Sequence, residues 1–245
     1  EIEQVRRLFP QDKDYTAVYE RFGLTGPRTL FGHCIHLSER EWAALAESRS
    51  VAASCPTANL FLGSGLFYRQ AARRADRPVR LALGTDVGAG TSYSMLRVMG
   101  EAYKVAHLRD DSLSPMSAFH WATRGNAEAL GLETRIGRIA AGFEADLIVL
   151  DTRATPAMAH RMETVETLEE ELFLLMTLGD ERAVAASYVM GEQAGAAPLS
   201  PARGEGKAVA LIPALDGEGP SKARGRGGSH DAAVLQGSTS SRTSG

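Results

Sequence analysis

Short apolar runs alternate with amphipathic stretches from the start of the chain to about Glu192, the pattern that successive βα units leave in a sequence. Glu1 to Phe9 is already in helical rhythm. Arg28 to His33 (RTLFGH) predicts a short buried strand, set off by the Gly26-Pro27 breaker. Ser38 then offers an N-cap with Glu41 three residues on, a capping box, and Trp42, Leu45 and Ala46 give the following helix its apolar face. Ser50 to Ser54 predicts a second strand, Leu66 to Arg74 a helix, and Pro78 to Leu83 a third strand that runs into Gly84-Thr85-Asp86.

Farther along, Ser94 to Leu108 reads as a helix, with Met95, Val98, Met99, Ala102, Tyr103 and Val105 near a 3.6-residue period. Ser114-Pro115 starts another helix, since a proline in the first turn forfeits an N–H that had no partner, and Gly131 ends it. Glu144 to Leu150 is a strand, Leu168 to Leu178 a helix and Ala183 to Met190 a final strand. Past Glu192 the chain has no Phe, Trp, Tyr or Cys and is rich in Gly, Ser, Ala and Pro. Such a tail buries too little apolar surface to offset its ordering entropy and is expected to be disordered. Val209 to Leu215 is read either as an isolated β-prone segment or as a chance apolar cluster.

Composition narrows the class. The chain has 245 residues, a formal net charge of −3, 44% hydrophobic and 23% charged residues, the profile of a soluble globular protein. The charge argues against a nucleic-acid partner held by a basic surface. No run of about eighteen apolar residues is present, so no membrane span is expected. Cys34 and Cys55 are too few for a disulfide scaffold, their spacing matches no structural zinc pattern, and a cytoplasmic location is the default.

Two residues stand out for chemistry. His33 and Asp86 each sit just past the last apolar residue of a predicted parallel strand, which in a (β/α)-barrel is the catalytic rim. Imidazole and carboxylate suit a divalent transition metal, but a catalytic site needs about three protein ligands and an open position, so two are too few. The alternative is a hydrogen-bonded core histidine and an aspartate capping the next loop. His36, three residues after His33, ranks below it as a ligand; His107 and His120 fall in helical patterns, and His160 and His230 in loop or tail contexts. The run Gly88-Ala89-Gly90-Thr91-Ser92 fails the dinucleotide fingerprint at Tyr93 and lacks the P-loop lysine, so a tight turn is expected. Leu62-Gly63-Ser64-Gly65 is only superficially a nucleophile elbow, and the cytidine-deaminase type of zinc signature is absent.

Three strings are narrower: Phe31 to Ser38 (FGHCIHLS), Ser54 to Gly65 (SCPTANLFLGSG) and Gly84 to Leu96 (GTDVGAGTSYSML). They closely resemble the guanine deaminase family of the amidohydrolase superfamily. The resemblance covers roughly the first 190 residues and continues through Glu144 to Asp151 and Met176 to Asp180. It implies an α/β fold, a metal-dependent-hydrolase-type (β/α)8 TIM barrel with a small β-sandwich, and zinc-dependent hydrolysis of guanine to xanthine and ammonia. By resemblance His33 is the metal ligand after the sixth barrel strand. Asp86 is the ligand after the eighth, and as the catalytic residue also takes a proton from the attacking water. Asn59 lies in the loop after the seventh strand, where it either borders the substrate base or merely stabilises a turn. One zinc, a small purine substrate and a homodimer of the full-length protein are implied.

The departures are large. The family carries a His-x-His pair after the first strand, a further His after the fifth, and a Glu three residues beyond that His; none lies upstream of His33 here. Glu1 and Glu3 do not fill the role, because a helix leaving the rim carries them as a solvated first turn. The chain is therefore expected to be a C-terminal part of such an enzyme, inactive alone. Residues 1–131 would hold barrel strands 6 to 8, 132–192 a β-sandwich segment, and 193–245 the tail. Two alternatives stay open: another aminohydrolase of the superfamily, acting on a pterin, triazine or adenosine-type amine, or a non-catalytic fragment or interaction module with exposed edge strands.

Overall fold

A computed structural model describes residues 2–194 and the backbone of Val234–Leu235. Glu1, Val209 to Leu215 and His230 lie outside the described residues, as does most of the expected tail. The chain divides into two compact units, one holding the residues up to Tyr93 with Glu101–Leu113, the other Ser94–Gly100 with the residues from Ser114 on.

The first unit is built from α1 (Ile2–Leu8), α2 (Tyr15–Arg21), β1 (Leu30–Gly32), α3 (Glu39–Ser48), β2 (Val51–Ser54), α4 (Pro56–Phe61), α5 (Arg69–Ala72), β3 (Arg80–Leu83) and the later turns of α6 (Met95–Leu108). The three strands pair in parallel in the order β1-β2-β3, with Gly32 opposite Ala53 and Ser54 opposite Leu83. Val51 and Ala52 in the central strand are fully buried, as expected of parallel strands covered on both faces. The predicted capping box forms: Ser38 Oγ accepts from the Glu41 N–H, and Glu41 Oε2 accepts from the Ser38 N–H at 2.8 Å. The other oxygen, Oε1, accepts from both the N–H and the hydroxyl of Thr16 at 3.1 Å. One buried carboxylate therefore starts α3 and ties α2 to it.

Some helices of this unit differ from expectation. Helix appears only over Arg69–Ala72 of the predicted Leu66 to Arg74, because Tyr68 at its N-cap supplies no side-chain acceptor. Phe67 is buried instead, edge-on to Trp42 at 6.1 Å between ring centroids. Helix α4 was not predicted; Pro56 sits in its first turn, and it carries no side-chain cap.

The second unit contains the first turns of α6, then α7 (Pro115–His120), a π-helical turn (Trp121–Gly125), α8 (Asn126–Leu130), β4 (Leu147–Leu150), α9 (Pro156–Met162), α10 (Leu168–Leu178), β5 (Val184–Val189), β6 (Glu192–Gln193) and β7 (Val234–Leu235). The sheet is antiparallel in the order β6-β5-β4-β7, with an irregularity between Val149 and Leu150. Val234 and Leu235 of β7 pair with Val149 and Ile148 along one edge of β4. The core comprises Phe119, Leu150, Met158, Leu172, Leu175 and Met176. Gly100 lets α6 approach α10 at backbone range, since a Cβ there would lie 2.6 Å from the Met176 carbonyl oxygen.

The helix predicted from Ser114 to Gly131 runs through 115–130 and ends at left-handed Gly131, with the π-helical turn in its middle. There the Thr123 hydroxyl donates to the Phe119 carbonyl at 2.7 Å and the Asn126 amide to the Ala122 carbonyl at 3.3 Å, side-chain bonds that compete with the helical ladder. Strand β4 is shorter than Glu144 to Leu150 because the Glu144 N–H donates to the Arg135 carbonyl, outside the ladder. Among the described residues no helix is long and apolar enough to cross a membrane.

Candidate metal centre

Three side chains meet at the C-terminal ends of β1, β2 and β3. His33 follows β1 directly, and its N–H extends the ladder by one bond, to the Ala53 carbonyl at 2.8 Å. The chain then bends through left-handed backbone at His33 (φ 66°) and Cys34 (φ 49°). Asp86 lies three residues past β3 and is left-handed too, at φ 48°. Non-glycine residues rarely adopt this region, and such strain concentrates where a fold over-determines a functional position. The turn after Asp86 is closed by the Gly90 N–H donating to the Asp86 carbonyl and by the Val87–Gly90 bridge. A Cβ on Gly90 would overlap the Thr85 carbonyl oxygen, so the glycine-rich run forms a tight turn against the site. The Thr57 hydroxyl donates to the same Thr85 carbonyl at 3.1 Å, joining α4 to the β3 loop.

His33 Nε2 lies 3.8 Å from Asp86 Oδ2. Its other ring nitrogen, Nδ1, is 2.8 Å from Asn59 Oδ1. An amide oxygen only accepts, so Nδ1 carries the proton and Nε2 presents its lone pair on the Asp86 side. A carbonyl acceptor behind a histidine is the arrangement that orients metal ligands. Asn59 is 2% exposed, and its Nδ2 has no hydrogen-bond partner among the described residues.

The third group, Cys55, was not singled out from the sequence. It follows β2 directly, so it holds on that strand the place that His33 holds on β1. Donor atoms of His33, Cys55 and Asp86 all lie within 4.8 Å of one another. Burial pushes the Cys55 thiol up; a backbone hydrogen bond from His33 opposes this and the Asp86 charge adds to it. Cys34, though next to His33 in sequence, is buried with its Sγ on the Phe31 carbonyl at 3.3 Å, and burial first, then Cys55 and Glu41, raises its pKa to about 12.

The remaining candidates stand apart. His36 Nε2 is 2.8 Å from the Ser64 carbonyl oxygen, outside the donor group. Glu3 is on α1, which buries no residue. His107 lies on α6 against Tyr103 and His120 ends α7. His160, expected in a loop, is on α9 and pairs with Glu163 at 3.4 Å on the surface, because Thr155 caps and Pro156 starts a helix there.

A family model described as the amidohydrolase family matches residues 1–193. Guanine deaminase of Escherichia coli strain K12 is 45% identical over 191 residues, 78% of this chain and 43% of that protein. A solved structure of E. coli guanine deaminase matches at a TM-score of 0.78 and 43% identity, over 80% of this chain and 45% of that one. An adenosine deaminase of Xanthomonas campestris, solved with bound zinc, matches at a TM-score of 0.67 and 28% identity, over 79% and 42%. The chain spans less than half the length of these relatives.

Proposed function

The chain belongs to the amidohydrolase family, and on that footing we propose that it supplies the β1-β2-β3 side of a guanine deaminase barrel, with His33 and Asp86 as ligands to zinc. The observation that carries this reading is the approach of His33 Nε2 to Asp86 Oδ2 at 3.8 Å across a parallel sheet, in a chain 45% identical to a guanine deaminase. The donors fit the ion: an Nε2 lone pair freed by the Asn59 contact and a carboxylate oxygen, at the rim where barrel enzymes assemble their sites. Bound there, zinc supplies the Lewis acidity that makes water a nucleophile near neutral pH.

The chain's own groups do the rest. Asp86 accepts the proton of the attacking water and returns it to the departing amine, which leaves as ammonia. Asn59 is a positioning residue for His33 through Oδ1. The tight turn at Gly90 fixes the backbone that presents Asp86. Two free cysteines suit a reducing cytoplasm.

The test is an amine panel given to the full-length gene product: guanine, adenosine, a pterin and an aminotriazine, with ammonia release as the readout. Guanine should be preferred and yield xanthine. Preference for adenosine would favour the reading suggested by the X. campestris neighbour and overturn this one.

A further inference from the structure

We propose that Thr57 is a positioning residue for the reaction: its buried hydroxyl, through the Thr85 carbonyl, holds the backbone from which Asp86 presents its carboxylate. The inference rests on the deaminase reading and deepens it, since that reading gives Asp86 the proton transfer without saying what aims it. Thr57 acts through the peptide that precedes Asp86, not on the reacting atoms.

Several observations converge on it. Asp86 sits at φ 48°, a backbone that a non-glycine residue keeps only where its surroundings enforce it. The Thr85 carbonyl belongs to the peptide whose other end is the Asp86 nitrogen, and a planar peptide turns as a unit, so fixing that oxygen restrains the φ of Asp86. Two contacts meet there. The Thr57 hydroxyl donates to the oxygen at 3.1 Å, and the Gly90 backbone packs so closely that a Cβ would lie 1.8 Å from it. Thr57 is 4% exposed, so water cannot readily take the place of its hydroxyl, and a buried carbonyl that loses its donor turns to find another. Asn59, two residues farther along α4 and equally buried, bonds His33 Nδ1. One six-residue helix therefore aims both site residues, His33 through its ring and Asp86 through its backbone.

The test places Thr57→Val, which keeps the shape and removes the hydroxyl, Thr57→Ala, which also removes it, and Thr57→Ser, which keeps it, in the full-length gene product. Thr123→Val is the matched control, because Thr123 is 2% exposed and its hydroxyl likewise donates to a carbonyl, that of Phe119. Thr57→Val and Thr57→Ala should lower kcat about 10-fold with KM for guanine within about twofold, and weaken zinc by calorimetry about 10-fold. Thr57→Ser should recover most of both, and Thr123→Val should leave both unchanged. Hydrogen exchange of the Gly90 N–H in the metal-free protein needs neither zinc nor substrate and should quicken about 10-fold in Thr57→Val. Full kcat and zinc affinity without the hydroxyl, losses in Thr57→Ser equal to those in Thr57→Val, unchanged exchange at Gly90, or the same kcat loss in Thr123→Val would overturn the proposal. An unaltered protein that leaves guanine untouched would refute the deaminase reading, while zinc affinity and exchange still decide Thr57. Normal turnover of guanine by both the unaltered protein and Thr57→Val would refute Thr57 alone.

Discussion

Asp180 offers the sharpest electrostatic test of the second unit. Its side chain is 4% exposed, caps the turn at Glu181–Ala183, and accepts from the Arg182 N–H at 3.0 Å, the Arg182 guanidinium at 2.7 to 3.2 Å and Arg97 at 3.2 Å. The Arg182 side-chain bonds hold the carboxyl at about 2, against an ordinary 3.8, with burial opposing and the Arg182 backbone and charge and the Arg97 contact assisting. A difference of about 1.8 at about 1.36 kcal/mol per unit is about 2.4 kcal/mol. Both arginines are more than half exposed, and water screens them, so about 1 to 2 kcal/mol is the expected worth. The folded value lies below the unfolded one. The contribution is therefore complete above about pH 4 and is lost as pH falls through about 2.

Asp180→Asn should lower urea-unfolding stability by about 1 to 2 kcal/mol at pH 7, and the gap to the unaltered chain should shrink by more than half by pH 2. The assay is a set of urea melts between pH 7 and pH 2, followed by circular dichroism. A gap under about 0.3 kcal/mol at pH 7, or one constant with pH, would refute the reasoning.

Three further outcomes are expected. Phe119→Ala removes a ring that is 1% exposed and should cost about 3 to 5 kcal/mol in the same melts, whereas exposed Tyr93→Ala should change stability little. Gly90→Ala must push the Thr85 carbonyl aside and should lower zinc affinity by calorimetry, while Gly88→Ala, with open space at its Cβ, should do so less despite its own left-handed backbone. Asn59→Ala should weaken zinc about 10- to 100-fold, and Asn59→Asp should restore much of it because a carboxylate also accepts from His33 Nδ1. Equal losses in both Asn59 variants would assign the residue to packing alone.

Elements that announced themselves were those with a local cause. The Ser38–Glu41 box and the 3.6-residue stripe of α6 reside within one helix each, and both helices formed. The strands were found but overextended, since apolar runs do not say where neighbouring strands stop pairing: β1 keeps only Leu30–Gly32 because the chain turns left-handed at His33. Short helices such as α4 carry too few turns for a period, and the π-helical turn depends on side-chain bonds from Thr123 and Asn126 that no periodicity encodes.

The approach of His33 to Asp86 is legible because each follows an apolar run, His33 directly after β1 and Asp86 three residues past β3. Asn59 was legible as a neighbour of the site, but its bond to His33 joins residues 26 apart and appears only once β1 and β2 lie side by side. Cys55 is inconspicuous in the sequence because its spacing to Cys34 matches no metal-binding pattern. The available signal was its place immediately after β2, the same rim position as His33 after β1.

The central claim is that His33 and Asp86 are a deaminase's metal-holding residues. The most direct test replaces the matching 191-residue segment of E. coli guanine deaminase with that of this chain and measures xanthine formation from guanine. The chimera should turn over guanine, and His33→Ala or Asp86→Asn within it should lose bound zinc or activity by about 10³-fold or more, as removal of a catalytic charge does. A folded, zinc-loaded chimera that leaves guanine untouched, or one whose Asp86→Asn variant keeps its rate, would contradict the account.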